Sequence, residues 1–163
     1  MGRPRLYYAT ATYHICIRGN NRQAVLGSKE DKEQFLYSLG KFRERFRFRL
    51  YGFVLMDNHA HMVIQTNGTA DISRIMQGIT LSYSQKFRHR YHYTGYVWQG
   101  RFKSKVIEGD KYILECLEYV HNSPVRANMV THPQDYAWSS YHFYNCTPSP
   151  VAEFIEIDRF TSA

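Results

Sequence analysis

The sequence predicts an α+β fold of the ferredoxin-like, split βαβ type: a four-stranded antiparallel sheet with helices on one face, then a third helix and a C-terminal tail. Three observations predict it. Apolar patterns of period two and period 3.6 follow one another in the order β-α-β-β-α-β-α. The tight-turn pair Asp57-Asn58 joins the two middle strands. The 163 residues suit one domain that can bury a core without disulfides or structural metal.

The first strand is expected near 11–18, where "TATYHICIRG" is rich in β-branched and aromatic residues and stops at Gly19. After a loop, Ser28 caps a helix from Lys29 to about Arg47, with Asp31 near its positive end. Phe35, Leu36, Leu39, Phe42 and Phe46 form its apolar face. "RLYGFVLM" and "HAHMVIQ" are the second and third strands, a hairpin about Asp57-Asn58. A second helix follows at about 71–89, its apolar set being Ile72, Ile75, Met76, Ile79 and Phe87. A short strand is expected near 103–107. "KYILECLEYVHNS" is the third helix, stopping before Pro124 because proline disfavours helical backbone in the residue ahead of it. Residues 1–130 then form one domain, with 131–163 as an extension packed on it.

Lys and Arg number 21 against 14 Asp and Glu, a net charge of +7, and 14 Tyr and ten Phe accompany that charge. Cations suit phosphates and rings suit exposed bases, so the balance points toward nucleic acid. Cys16, Cys116 and Cys146 are odd in number and widely spaced, which excludes a CxxC zinc ribbon or redox motif. No apolar run approaches membrane-spanning length, and the expectation is a cytoplasmic, reduced protein.

Residues i and i+2 of a strand share a face, so His59 and His61 stand side by side, about 7 Å apart along the backbone. Their imidazoles can lean onto one ion, although two nitrogens do not complete a coordination sphere. Taken alone, such a pair is more often two half-exposed histidines. On the third helix, Ile113, Leu117 and Val120 form the buried stripe. Tyr119 falls on its edge, with Tyr112, Cys116 and Ser123.

Four stretches taken together resemble a family. "MDNHAHMVI" resembles the His-hydrophobic-His motif of single-tyrosine transposases and rolling-circle nucleases. "VWQGRFKS", "EYVHNSPVRANMV" and "DYAWSSYHFY" resemble later blocks of the REP-associated tyrosine transposases, in the family's order. The resemblance implies that His59 and His61, with a third polar group, hold Mg²⁺ or Mn²⁺ against a scissile phosphate of single-stranded hairpin DNA. It implies that a tyrosine five residues before the proline, here Tyr119, attacks to give a 5′-phosphotyrosine and a free 3′-hydroxyl. It implies a monomer or a homodimer: the longer type acts as a monomer, whereas smaller relatives are dimers that exchange the tyrosine helix.

The pattern departs at one position. The family's third ligand, four residues after the tyrosine, is an amide; here it is Ser123. Arg101, Lys103 and Lys105 alternate onto one face and suit a phosphate track, and Trp98 suits stacking on a base. Arg43, Arg45, Arg47 and Arg49 read as a solvated face. Two other readings stand beside this one. Ser123 favours a non-catalytic DNA-binding protein on the same scaffold. An RNA-binding module would need aromatics on the open face of the first and third strands, where His59 and His61 stand instead.

Overall fold

The computed structural model describes residues 8–145 and 147–162; residues 1–7, Cys146 and Ala163 lie outside the described residues. Strands β1 (Thr12–Arg18), β2 (Arg49–Leu55), β3 (His59–Gln65) and β4 (Lys103–Ile107) form one antiparallel sheet in the order β2-β3-β1-β4. Helices α1 (Lys29–Phe46) and α2 (Ile72–Tyr91) cover one face. This is the expected split βαβ topology.

The local causes match the sequence. Ser28 and Asp31 form a capping box at the start of α1: the Asp31 N–H donates to Ser28 Oγ at 3.0 Å, and the Ser28 N–H donates to Asp31 Oδ2 at 3.3 Å. The apolar set expected on α1 is buried throughout, and that of α2 is buried except for Phe87, which packs at the margin. These side chains close over Tyr13, Ile15, Ile17, Met62 and Ile64 of the sheet. The hairpin turns at Asp57-Asn58, with the Met56 N–H donating to the His59 carbonyl. Lys32, buried in α1, holds that turn by donating to Asp57 Oδ1 at 2.8 Å and to the Leu26 carbonyl at 2.6 Å.

The opposite face is half covered. Helix α3 (Asp110–His121) packs on β2 and β3, where Ile113, Leu117 and Val120 meet Tyr51, Val54 and Val63. Two features admit it. A bulge shifts the β2–β3 register between Leu50 and Gly52, so that Tyr51 and Gly52 both face α3. A side chain at 52 would place its Cβ 2.5 Å from Leu117 Cδ2, so only glycine lets the helix come this close. Pro124 does not end the helical path. After a break at Asn122 the chain makes one more turn, α4 (Ser123–Arg126), with the proline in its first turn, where no N–H is needed.

The tail braces the free edge of β2. The Leu55 N–H donates to the Trp138 carbonyl, the Ser140 N–H to the Phe53 carbonyl, and the Asp158 N–H to the Leu50 carbonyl. Asp158 also pairs with Arg43 at 3.0 Å, and Val151 and Ile155 join the core beneath α1. The Arg43 to Arg49 series is therefore only partly solvated: Arg43 is spent on the tail. No described helix is long and apolar enough to cross a membrane.

Candidate active site

The open half of the second face lies beside α3. Alternation places His14, Cys16 and Arg18 of β1 there, and the register pairs Cys16 with His61 and Arg18 with His59. On the other side β4 pairs Lys105 with His14 and Lys103 with Cys16. One patch therefore holds three histidines and three cations.

His59 and His61 point into the same patch, their ring centroids 5.2 Å apart. His59 Nδ1 donates to Asn58 Oδ1 at 2.7 Å, which leaves Nε2 of the neutral ring with its lone pair. His61 Nδ1 is hydrogen-bonded to His14 Nε2 at 3.0 Å, which likewise leaves His61 Nε2 for another partner. Burial holds all three imidazoles below their ordinary range. His61 is lowered to about 3, by burial and then by the charges of His14, His59, Arg126 and Arg18. His14 is lowered by burial and Lys105, and His59 by burial and Arg18. The rings are neutral at neutral pH, the state in which imidazole binds a cation.

Tyr119 is carried to these rings by α3. Its ring centroid lies 6.1 Å from that of His61 and 5.9 Å from that of His14, both edge-on, and the residue is 49% exposed. It lines a cleft of about 840 Å³ with His14, Lys105, Tyr112 and Cys116. The cleft thus brings a phenol, one neutral imidazole and one lysine together.

Comparison with known proteins decides the family. Residues 7–123 match the family described as "Transposase IS200 like". The chain belongs to that family. A Haemophilus influenzae protein, named provisionally as a REP-associated tyrosine transposase, is 26% identical over 61% of this chain, and the match spans 62% of that relative's length. A REP-associated tyrosine transposase solved bound to a REP hairpin matches 99% of this chain and 92% of its own, with a TM-score of 0.76 and 19% identity. A Deinococcus radiodurans protein, named provisionally as a transposase, matches 75% of this chain and 97% of its own at a TM-score of 0.52 and 15% identity. At these identities the structural likeness is one of fold.

Not every expected residue of this IS200-like transposase meets at the patch. Ser123 stays on the tyrosine's side, but its hydroxyl is engaged: it donates to the Tyr119 carbonyl at 3.2 Å and accepts from Arg126 Nη2 at 2.9 Å. Asn122 donates back to the Glu118 carbonyl at 2.9 Å. Among the described residues no three His, Cys, Asp or Glu groups form a cage that could hold a metal ion. His14, the nearest third imidazole, spends Nε2 on His61.

Lys103 and Lys105 share the histidine face, whereas Arg101 precedes β4 and lines a separate cavity of about 490 Å³ with Arg18 and Trp98. Trp98 packs against Phe35 and Tyr83, and its indole N–H donates to the Thr80 carbonyl at 3.3 Å. One face of its ring is thus committed to the core margin.

Sequence reasoning missed His14, Asn58, Arg18 and Arg126. His14 and Arg18 carried a signal, since they alternate with Tyr13, Ile15 and Ile17. Which residues they face depends on strand register, which one strand read alone does not reveal.

Proposed function

We propose that this protein cleaves and rejoins single-stranded hairpin DNA through a 5′-phosphotyrosine on Tyr119, with Mg²⁺ or Mn²⁺ held by His59 and His61. The observation that carries the reading is the seat of the Tyr119 ring, edge-on to His61 and His14 on one open face. Family membership and the fold shared with a hairpin-bound relative support it.

The donor set fits such a metal. Two neutral imidazoles share the patch, and Asn58 and His14 occupy their Nδ1 atoms, so with His61 Nδ1 as donor to His14 each ring keeps an Nε2 lone pair for an ion. Imidazole suits Mn²⁺ better than Mg²⁺, which prefers oxygen. When bound, the ion supplies Lewis-acid stabilisation of charge on the phosphate. The remaining work falls to this chain. Lys103 and Lys105 hold the incoming backbone along the β4 edge. The rigid α3 seat aims the phenol, an intrinsically weak nucleophile, at one phosphorus. The covalent link conserves the phosphodiester, so rejoining needs no nucleotide cofactor.

Within one chain the Tyr119 ring already lies beside His14 and His61, an arrangement that suits action in cis. The tail's bonds to β2 support reading 131–163 as an extension of the domain formed by 1–130.

The test is a covalent adduct. A labelled hairpin oligonucleotide from the inverted repeats flanking the protein's own gene is incubated with Mn²⁺ and run on a denaturing gel. A label that comigrates with protein, and disappears in Tyr119→Phe, supports the reading. Tight hairpin binding without an adduct favours a non-catalytic DNA-binding protein, the alternative that Ser123 in place of the amide supports.

A further inference from the structure

The position where the family pattern has an amide ligand holds Ser123, and the structure gives that serine a different occupation. Ser123 Oγ accepts from Arg126 Nη2 at 2.9 Å while donating to the Tyr119 carbonyl at 3.2 Å. The Arg126 guanidinium lies 3.8 Å from the centroid of the Tyr119 ring, a close stack of a cation on an aromatic face. The short turn α4 makes this possible. Asn122 breaks the helix, Pro124 opens the next turn, and Arg126 is brought back over Tyr119.

We propose that Arg126 is a catalytic residue of strand cleavage: seated by Ser123 and stacked on Tyr119, its guanidinium binds the scissile phosphate as the phenol oxygen attacks. The inference rests on the cleavage reaction proposed above.

Two observations support it. Arg126 is exposed, and among the described residues only Nη2 of its guanidinium has a side-chain hydrogen-bond partner, so Nε and Nη1 remain to grip a phosphate oxygen. Its stacking partner is the attacking residue itself, so a phosphate within reach of Tyr119 Oη is within reach of Arg126.

The step is balanced. The Tyr119 oxygen–phosphorus bond forms while the phosphorus–O3′ bond breaks. The phenol proton leaves to solvent and the departing O3′ takes one up. Negative charge accumulates on the phosphate oxygens between those events, and a fixed cation there lowers the barrier without rearranging. A site that lacks the amide ligand thus has a second source of positive charge, and the residue replacing that ligand holds it.

The experiment is single-turnover cleavage of the hairpin oligonucleotide in saturating Mn²⁺, with hairpin affinity and the Mn²⁺ half-saturation measured in parallel. Arg126→Ala is expected to slow cleavage by about 100-fold or more, with hairpin affinity and Mn²⁺ response within twofold of wild type. Arg126→Lys, which keeps charge but loses the planar fork, is expected to recover part of the rate. Ser123→Ala is expected to slow cleavage by less, and to add nothing in the Arg126→Ala background. A neutral methylphosphonate at the scissile position is expected to shrink the Arg126→Ala penalty toward unity; a merely structural role would leave it unchanged. The inference is overturned if Arg126→Ala cleaves at the wild-type rate, if its penalty persists on the methylphosphonate, or if Ser123→Ala weakens Mn²⁺ whatever stands at 126. If Arg126→Ala cleaves at the wild-type rate while Tyr119-dependent adduct forms normally in wild type, the arginine's role alone falls and the cleavage reading stands. If wild type forms no adduct, the cleavage reading falls and this inference with it.

Discussion

On β1, Tyr13, Ile15 and Ile17 turn toward α1 and α2, while His14, Cys16 and Arg18 turn toward α3 and the open cleft. The same division runs along β3, with Ala60, Met62 and Ile64 on the first side and His59 and His61 on the second. The first face is closed by two long helices and holds the principal core. The second is closed only where α3 packs, with Leu117 settled on Gly52, and its remainder displays three neutral imidazoles, a phenol and cations. Neighbouring residues on one strand thus serve separate purposes. The backbone of a well-packed face holds the side chains of the reactive face in register, so the site is as rigid as the core beneath it.

This contrast predicts which changes harm activity and which harm folding. The largest effect belongs to the open face. Tyr119→Phe removes only the attacking oxygen, so adduct formation should vanish on a denaturing gel while hairpin affinity and the melting curve stay near wild type. Substantial cleavage by that variant would hand the role to another nucleophile, Tyr112 first.

Next comes a pair of neighbours. Ile15 is fully buried, and Ile15→Ala should cost about 2–5 kcal/mol of stability in a urea titration yet leave the cleavage rate per folded molecule intact. His14→Ala should do the reverse. Its stability should change by about 1 kcal/mol or less, while loss of the bond to His61 should weaken Mn²⁺ binding by about 10–100-fold. Equal stability losses in the two variants would end the idea that the faces are separable.

A third effect lies at the junction of α3 and the tail. His121 Nε2 is hydrogen-bonded to Ser140 Oγ at 2.7 Å, and burial, with His142 second, lowers His121 to about 4. The unfolded chain binds this proton below about pH 6.5, the native protein only near 4, so acid favours the unfolded state between those values. Stability should fall by roughly 3 kcal/mol across that window from this group alone. His121→Gln should flatten that part of the pH–stability curve; an unchanged slope would assign it to His61.

The smallest effect concerns the rim. Lys103→Ala and Lys105→Ala should each lower the slope of log binding constant against log salt by about 0.7–1, with no change in melting temperature. A change in cleavage rate at saturating DNA would move these lysines from the approach track into the reacting centre.

Much of the molecule was legible before any coordinates. The apolar periodicity of α1 and the Ser28 cap are local, so that helix ends within a residue of its expected bounds. The His-x-His spacing on a strand dictates a shared face whatever surrounds it. The wheel of α3 separates Leu117 and Val120 from Tyr119 because 3.6 residues per turn leaves no choice. Less could be read where one segment must meet another. Pro124 signals the stop of α3, which ends at His121, but not the extra turn α4 that follows. Trp98 offered a stacking ring, and half of that ring belongs to the core margin. Gly52 gave no signal, because its importance lies in Leu117, 65 positions away.

By itself the sequence determined the order of elements, the split βαβ class, the paired histidines and the tyrosine on the edge of its helix, since each follows from periodicity within one segment. The tertiary structure alone decided that His14 holds His61, that Asn58 holds His59, and that Ser123 seats Arg126 against Tyr119. Those contacts need strand register, a bulge and a broken helix end. They depend on where two chain segments cross in space, which spacing along a single segment does not encode.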